Sequence, residues 1–346
     1  MSDTQRVISV GLLAVPESTA STLYGLLDVF WSVGRDWEVL VEGRPGSPLM
    51  TPYIVAAKAE GFRGANGAWI EASRAFDEWR FPDIVCVPDL MVVPSLYEPG
   101  AYPEAAAWLA DCHRAGSVIA SSCSGALLLA DAGLLDDVEA TTHWGYCDAI
   151  RNHFPKVRLK PARTLICAGI GQRLVTAGGG TAWHNLALYL IARFAGVERA
   201  IQIAKLFLLD WHEHGQLPYA SLVQATPCDD LVIADAQAWL AAHFTDHAPI
   251  SALITRSGLP ERTFKRRFAR AAGMTPIDYV HTLRLEAAKE QLETTNAVIE
   301  AIAENVGYED GSFFRRLFRR HVGITPAEYR RRFSALRSSV STVRPP

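Results

Sequence analysis

Residues 264–279, FKRRFARAAGMTPIDY, and 314–329, FRRLFRRHVGITPAEY, are one segment written twice, fifty positions apart. Eight of the sixteen aligned positions are identical: Phe264/Phe314, Arg266/Arg316, Phe268/Phe318, Arg270/Arg320, Gly273/Gly323, Thr275/Thr325, Pro276/Pro326 and Tyr279/Tyr329. Such a repeat restricts this part of the chain to an architecture that holds two copies of one unit.

Each unit reads as two short helices and a tight turn. In the first, Ile250, Leu253 and Ile254 share a helix face. Gly258 supplies the turn, because glycine tolerates positive φ. The next helix opens at Pro260, which the first turn of a helix accepts. Phe264 and Phe268, four apart, face inward, leaving Arg262, Lys265 and Arg266 outward. In the second unit Ile299, Ile302 and Ala303 form the first face, Gly307 the turn, and Asp310 or Ser312 the cap. Phe314 and Phe318 face inward; Ser312, Arg315, Arg316 and Arg319 face outward. Between the units, PIDYVHTLRLEAAKEQL reads as one helix of about 17 residues and about 25 Å. That length can hold two recognition helices in successive major-groove segments, about 34 Å apart. Arginine pairs bidentately with guanine, and further arginines neutralise phosphates.

Charge agrees with this division. The chain of 346 residues has a net charge of −3. Residues 230–346 hold 17 basic and 13 acidic side chains, whereas 1–229 hold 17 and 24. The excess of positive charge therefore lies with the repeat and predicts a polyanionic partner, double-stranded DNA.

RTFKRRFARAAGMTPIDYV…LRLEAAKEQLETT and AIAENVGYEDGSFFRRLFRRHVGITPAEYRRRF resemble the DNA-binding domain of the AraC/XylS family over nearly all of 230–333. The resemblance implies base-reading positions at Arg262, Lys265 and Arg266, and at Ser312, Arg315 and Arg316. Two departures stand out. Pro260 occupies the place of a capping serine, and Ile254 that of a common alanine.

Residues 1–195 alternate short apolar runs with helical stretches, which predicts an α/β domain: a mostly parallel, flavodoxin-like sheet with helices on both faces. RVISVGLLAV, WEVLVEG, DIVCVPDL, SVIASS and RLVTAGGG read as strands, and TLYGLLDVFWSV, YPEAAAWLADCHRAG, SGALLLADAG and TAWHNLALYLIARFAG as helices. Ser121-x-Cys123-x-Gly125 lies at a strand-to-helix step, the pattern of a nucleophile elbow. A helix N-terminus there favours thiolate, and ligands in such sheets bind beyond the strands' carboxyl ends. TTHW brings His143 and Trp144 as candidate neighbours.

SSCSGALLLADAGLLDDVEATTHW, with DIVCVP before it and LVTAGGGTAWHNLALYL after it, is similar to the PfpI/ThiJ superfamily, of glutamine-amidotransferase-like fold, over roughly 6–195. The GlxA-like regulators of that superfamily join such a domain to an AraC-type C-terminus. The resemblance implies a DNA-binding transcription regulator, a small-molecule effector and a homodimer. It implies a pocket of Thr22, Cys123, Ser124, His143, Trp144 and Trp183. The departures bear on catalysis. Thr22 occupies the place of an acidic residue, Ser124 that of a frequent histidine, Asp89 that of a glycine, and Asn185 that of an aspartate. Three readings of Cys123 stay open: an inert cysteine, a pocket cysteine without turnover, and, with His143, a catalytic pair. The alternative function is a cysteine-dependent hydrolase, amidase or hydratase carrying a DNA-binding domain; non-enzyme is the expectation.

The six cysteines have no CxxC spacing, so neither a zinc site nor a disulfide framework is expected, which fits a reducing cytoplasm. His212 and His214 in WHEHG lack a third ligand in register, so no metal or other cofactor is expected. No signal peptide and no apolar run of membrane-spanning length is read. The expected organisation is a sensing and dimerising domain over 1–213, a linker over 214–230, the double helix-turn-helix over 231–335 and a flexible tail over 336–346.

Overall fold

A computed structural model describes residues 6–78, 81–211, 215–222 and 230–334. The chain forms two compact units, Met1–Gln216 and Leu217–Pro346. Of the expected linker, 215–216 pack in the first unit, and 217–222 and Asp230 in the second; 214 and 223–229 lie outside the described residues, as do His212 and the tail 336–346.

Among the described residues, seven strands build the main sheet of the first unit: β1 (Ile8–Leu13), β2 (Met50–Ala56), β3 (Arg74–Ala75), β4 (Ile84–Val87), β5 (Val118–Ser122), β6 (Leu165–Ala168) and β7 (Leu174–Ala177). Their order is β6-β7-β5-β4-β1-β2-β3, parallel except for the β6–β7 pair. Parallel strands covered on both faces need apolar side chains in both directions, which is why ISVGLL and IVCV read as continuous apolar runs. Along β5 the faces alternate. Val118 and Ala120 enter the core beneath α1 (Ala20–Trp31), and Ile119 enters the core beneath α3 (Pro103–Ala115).

One expected strand is a helix. WEVLVEG lies in α2 (Asp36–Glu42). Its alternating Trp37, Val39 and Val41 suggest a strand, but none of its residues is buried. Ser32 Oγ donates to Asp36 at 2.7 Å, the acids Asp36 and Glu38 favour a helix N-terminus, and Gly43 ends the helix at φ +71°. Residues 50–56 take the strand position beside β1.

The remaining helices of this unit are α4 (Gly125–Asp131), α5 (Cys147–His153), α6 (Ala182–Phe194) and α7 (Val197–Phe207). The second unit is helical: α8 (Leu231–His243), α9 (Pro249–Ser257), α10 (Glu261–Ala272), α11 (Pro276–Thr294), α12 (Ile299–Asn305), α13 (Gly311–Val322) and α14 (Pro326–Phe333). It holds two apolar cores. Leu253, Phe264, Phe268 and Val280 centre one, and Ile302, Phe314, Phe318 and Leu285 the other. Nineteen-residue α11 contributes to both. Among the described residues no helix is long and apolar enough to cross a membrane.

Candidate functional site

The repeated sequence folds into repeated geometry. Phe264 and Phe268 lie 5.7 Å apart between ring centroids, as do Phe314 and Phe318, and all four are fully buried. Phe268 meets Tyr279 edge-on at 5.4 Å; Phe318 meets Tyr329 at 5.6 Å. The shared Thr-Pro is a helix start in both copies. Thr275 Oγ1 accepts from Asp278 N and Thr325 Oγ1 from Glu328 N, each at 3.3 Å, and proline follows at the first helical position. Gly258 and Gly307 make the turns at φ +64° and +91°.

Burying one side of α10 and α13 leaves the other side cationic. Arg262, Lys265 and Arg266 are exposed on α10; Ser312, Arg315, Arg316 and Arg319 are exposed on α13. Lys265 pairs with Glu261 at 2.5 Å, and Arg315 pairs with Glu300. Arg262, Arg266, Arg316 and Arg319 have no ion-pair partner among the described residues. The expected caps differ between copies: Asp310 accepts from Ser312 N at 2.7 Å, whereas α10 has Pro260 at its cap without a side-chain bond. Phe313, 40 % exposed beside Ser312, went unnoticed in the sequence because only its inward neighbours carry the repeat. An exposed aromatic ring there can meet a thymine methyl.

The elbow is present as backbone geometry. Cys123 follows β5 at φ +53°, a left-handed conformation that costs a non-glycine residue energy. Its N–H donates to Ala177 O at 3.0 Å and Gly178 O at 2.9 Å, and its carbonyl accepts from Thr142 Oγ1 at 2.7 Å. Ser124 Oγ bonds both the N–H and the carbonyl of Leu90, each at 2.7 Å. These bonds hold the strained turn in place.

The thiol is not activated. Burial, then the negative charge of Asp89, push Cys123 up to about 11, outweighing its bonds to Ser124 and Gly180. His143 is held below the ordinary histidine value by burial, with Asp89 opposing. His143 Nδ1 accepts from Gly145 N at 3.0 Å, which puts the proton of the neutral ring on Nε2. The ring lies against Gly179, where a Cβ would fall 1.7 Å from Cδ2. No hydrogen bond joins His143 to Cys123 among the described residues.

Cys123, Ser124, His143 and Trp144 thus share the β5–α4 corner, Trp144 through its ring contact with His143 at 4.8 Å. Thr22 and Trp183 lie in the α1–α6 layer: Thr22 is buried in α1, and Trp183 packs on Gly25 of the same helix. Among the described residues no three His, Cys, Asp or Glu side chains are grouped to hold a metal.

The corner contains one residue that composition concealed. Gln216, 4 % exposed, accepts from Gly179 N at 3.1 Å, and its Nε2 donates to Thr142 O at 2.7 Å and Pro161 O at 2.8 Å. A polar residue in a proline-rich stretch reads as linker; its partners lie up to 75 residues away. Beyond it, Lys289 donates to Ala220 O at 2.7 Å and Glu286 accepts from Leu222 N at 2.7 Å, within the second unit.

A family model described as a helix-turn-helix domain matches residues 253–332. The chain is similar to the HTH-type transcriptional regulator CdhR of Pseudomonas aeruginosa, 27 % identical over 84 % of each chain. It is similar to the HTH-type transcriptional regulator GlxA of Rhizobium meliloti, 28 % identical over 63 % of this chain and 67 % of that one. A ThiJ/PfpI family protein from Pseudomonas syringae aligns with 62 % of this chain and 81 % of its own, with 21 % identity and a TM-score of 0.49.

Proposed function

We propose that this chain, a PfpI-like α/β unit joined to an AraC-type double helix-turn-helix unit, is a transcription regulator that reads a specific DNA duplex and answers to a small molecule. The observation that carries the reading is the pair of exposed cationic faces on α10 and α13, each braced by the same buried phenylalanine pair. Two relatives named as HTH-type transcriptional regulators support it. Arg262, Lys265, Arg266, Ser312, Arg315 and Arg316 read bases, and Arg319 meets phosphate.

The α/β unit binds its effector at Thr22, Cys123, Ser124, His143, Trp144 and Trp183 without turning it over. A neutral thiol with no hydrogen bond to His143 supports binding over nucleophilic attack. The retained elbow backbone at Cys123 favours the rival reading, a cysteine-dependent hydrolase; the rate of Cys123 alkylation near neutral pH, with and without His143, separates the two. A ligand shifts DNA binding only by preferring one conformation. Gln216 ends the first unit and holds both Thr142 and Gly179, so a ligand that displaces either acts on the connection itself. The protein works in the cytoplasm as a homodimer. Apolar residues exposed on α2 and α7, Leu40, Val41, Val197 and Ile201, support self-association.

The test is equilibrium binding of the full chain to duplexes selected from a random pool, over a salt series. The logarithm of affinity falls linearly with that of salt, by about 0.9 per phosphate contact. Arg266→Ala and Arg316→Ala each cost about 1–3 kcal/mol and relax preference at one base pair. A flat salt series, or full affinity in both variants, defeats the reading.

A further inference from the structure

Away from the elbow, the first unit holds a cavity of about 400 Å³. It opens where the carboxyl ends of β1 and β2 meet the start of α3, at the edge of the sheet where such folds take ligands. Cys123, Ser124, His143 and Trp144 do not line it. Small side chains leave the space: Ala14 follows β1, Ala56 ends β2 and Ala105 lies in the first turn of α3, all three buried. Three partly buried rings, Phe62, Phe76 and Tyr102, wall it. Each is anchored elsewhere. Phe62 pairs with Ile70 in a short antiparallel ladder and packs on the core beneath α1. Phe76 stacks on Trp108 of α3 with centroids 4.8 Å apart, and its N–H donates to Ala56 O at 3.0 Å. Tyr102 immediately precedes α3, and its carbonyl accepts from Ala106 N at 3.0 Å. The walls are thus preformed, so filling the cavity requires little ordering of the protein.

The lining contains no buried charge. Lys58, Glu60 and Glu104 are exposed at the rim, one cation and two anions in water. Glu104 lies in the first turn of α3 and answers the positive end of that helix. Burial, then a hydrogen bond to Glu17, hold the Tyr102 hydroxyl above the ordinary phenol value, so it is neutral and already engaged. A charge carried inside would lose hydration and find no buried partner. A neutral ring gains contact with three aromatic side chains and three alanines and gives up little hydration. The lining converges from four parts of the chain, 14–16, 56–62, 76 and 101–105, on one hollow of the size that small ligands fill.

We propose that this cavity is a second small-molecule site and that it takes a flat, uncharged aromatic compound. It does not rest on the elbow being an effector pocket. The two places share a ridge of backbone. Past Pro16, Ser18 pairs with Leu90, and Met91 N donates to Glu17 O at 2.7 Å. Leu90 in turn is bonded through both backbone groups to Ser124 Oγ.

Three probes decide it: para-fluorobenzyl alcohol, para-fluorobenzoate and para-fluorobenzylammonium, which share one ring and differ in charge. Each is titrated into the full chain without DNA and followed by its own fluorine resonance. The alcohol should show saturable exchange broadening, and both ions should bind about tenfold more weakly or less. Phe62→Ala removes one wall and should weaken the alcohol about tenfold. Ala101→Trp sets an indole at the exposed rim and should weaken it likewise with every wall intact. Cys123→Ser, at the elbow, should leave the affinity within about twofold. Weakening in either cavity variant, with Cys123→Ser unaffected, sustains the site. No saturable binding of the alcohol, equal or tighter binding of either ion, unchanged affinity in both cavity variants, or loss in Cys123→Ser would each overturn the proposal. Because no DNA is present, failure here leaves the DNA-binding reading standing, and the salt series fails or succeeds independently.

Discussion

Arg284 Nη1 donates to the carbonyl of Gly307 at 2.7 Å, joining the middle of α11 to the turn of the second helix-turn-helix. The same guanidinium reaches back to Phe244 O and Asp246 O, each at 2.7 Å, in the segment after α8. It lies over the Tyr308 ring at 5.2 Å and is 8 % exposed. One buried side chain thus ties the two halves of the DNA-binding unit and fixes the spacing of their recognition helices.

Replacing Arg284 with leucine should therefore destabilise the second unit by about 2–4 kcal/mol, because three carbonyls lose the donor of a part-buried hydrogen bond. Arg284→Lys should recover less than half of the loss, since a point charge cannot reach three acceptors in a fork. Urea unfolding of the full chain, followed at the transition of this unit, measures both; a loss below about 0.5 kcal/mol for leucine would show the contacts to be incidental.

Gln216→Leu keeps volume and removes every bond to the elbow corner. The amide of Gly179 loses its acceptor, so its hydrogen exchange should accelerate at least tenfold, while amides of β1 and β4 keep their rates. Uniform acceleration across the sheet would mean general destabilisation instead, and no change at Gly179 would mean that Gln216 holds nothing.

Cys123 should resist alkylation at neutral pH. With the thiol at about 11, only about three molecules in ten thousand carry thiolate at pH 7.5. Labelling by iodoacetamide, mapped by peptide, should rise about tenfold per pH unit up to pH 9 and be insensitive to His143→Ala. Rapid labelling that levels off below pH 8 and disappears in that variant would favour the hydrolase. The linkage has a matching sign: a thiol raised by folding stabilises the protein below its unfolded pKa, near 9, and loses that contribution as pH climbs toward 11.

Acid acts from the other side. Burial holds His113, His143, His281 and His321 below the ordinary histidine value. The folded chain keeps these rings neutral, so the unfolded chain takes up protons first as pH falls. Their contribution is present above pH 6.5 and is lost as pH drops through their folded values. Urea midpoints should fall between pH 7.5 and pH 5, above the range where most carboxylates titrate. Equal midpoints at the two values would contradict the burial.

The amino-acid sequence alone determined the repeated unit, the parallel sheet and the elbow. Phenylalanines four apart, glycine turns, Thr-Pro helix starts and apolar strand runs act within one or two turns of chain, so periodicity reports them directly. Local pattern misread α2, whose Trp37, Val39 and Val41 alternate like a strand; Ser32, Asp36 and Gly43 made it a helix, while residues 50–56 supplied the strand. Only the tertiary structure decided what the elbow is chemically. Asp89 comes to Cys123 because Leu90 is bonded to Ser124, 34 residues away, and Gln216 finds Thr142 across 74. The state of a buried polar group depends on which distant atoms arrive within about 3 Å of it, and no spacing along the chain encodes that distance.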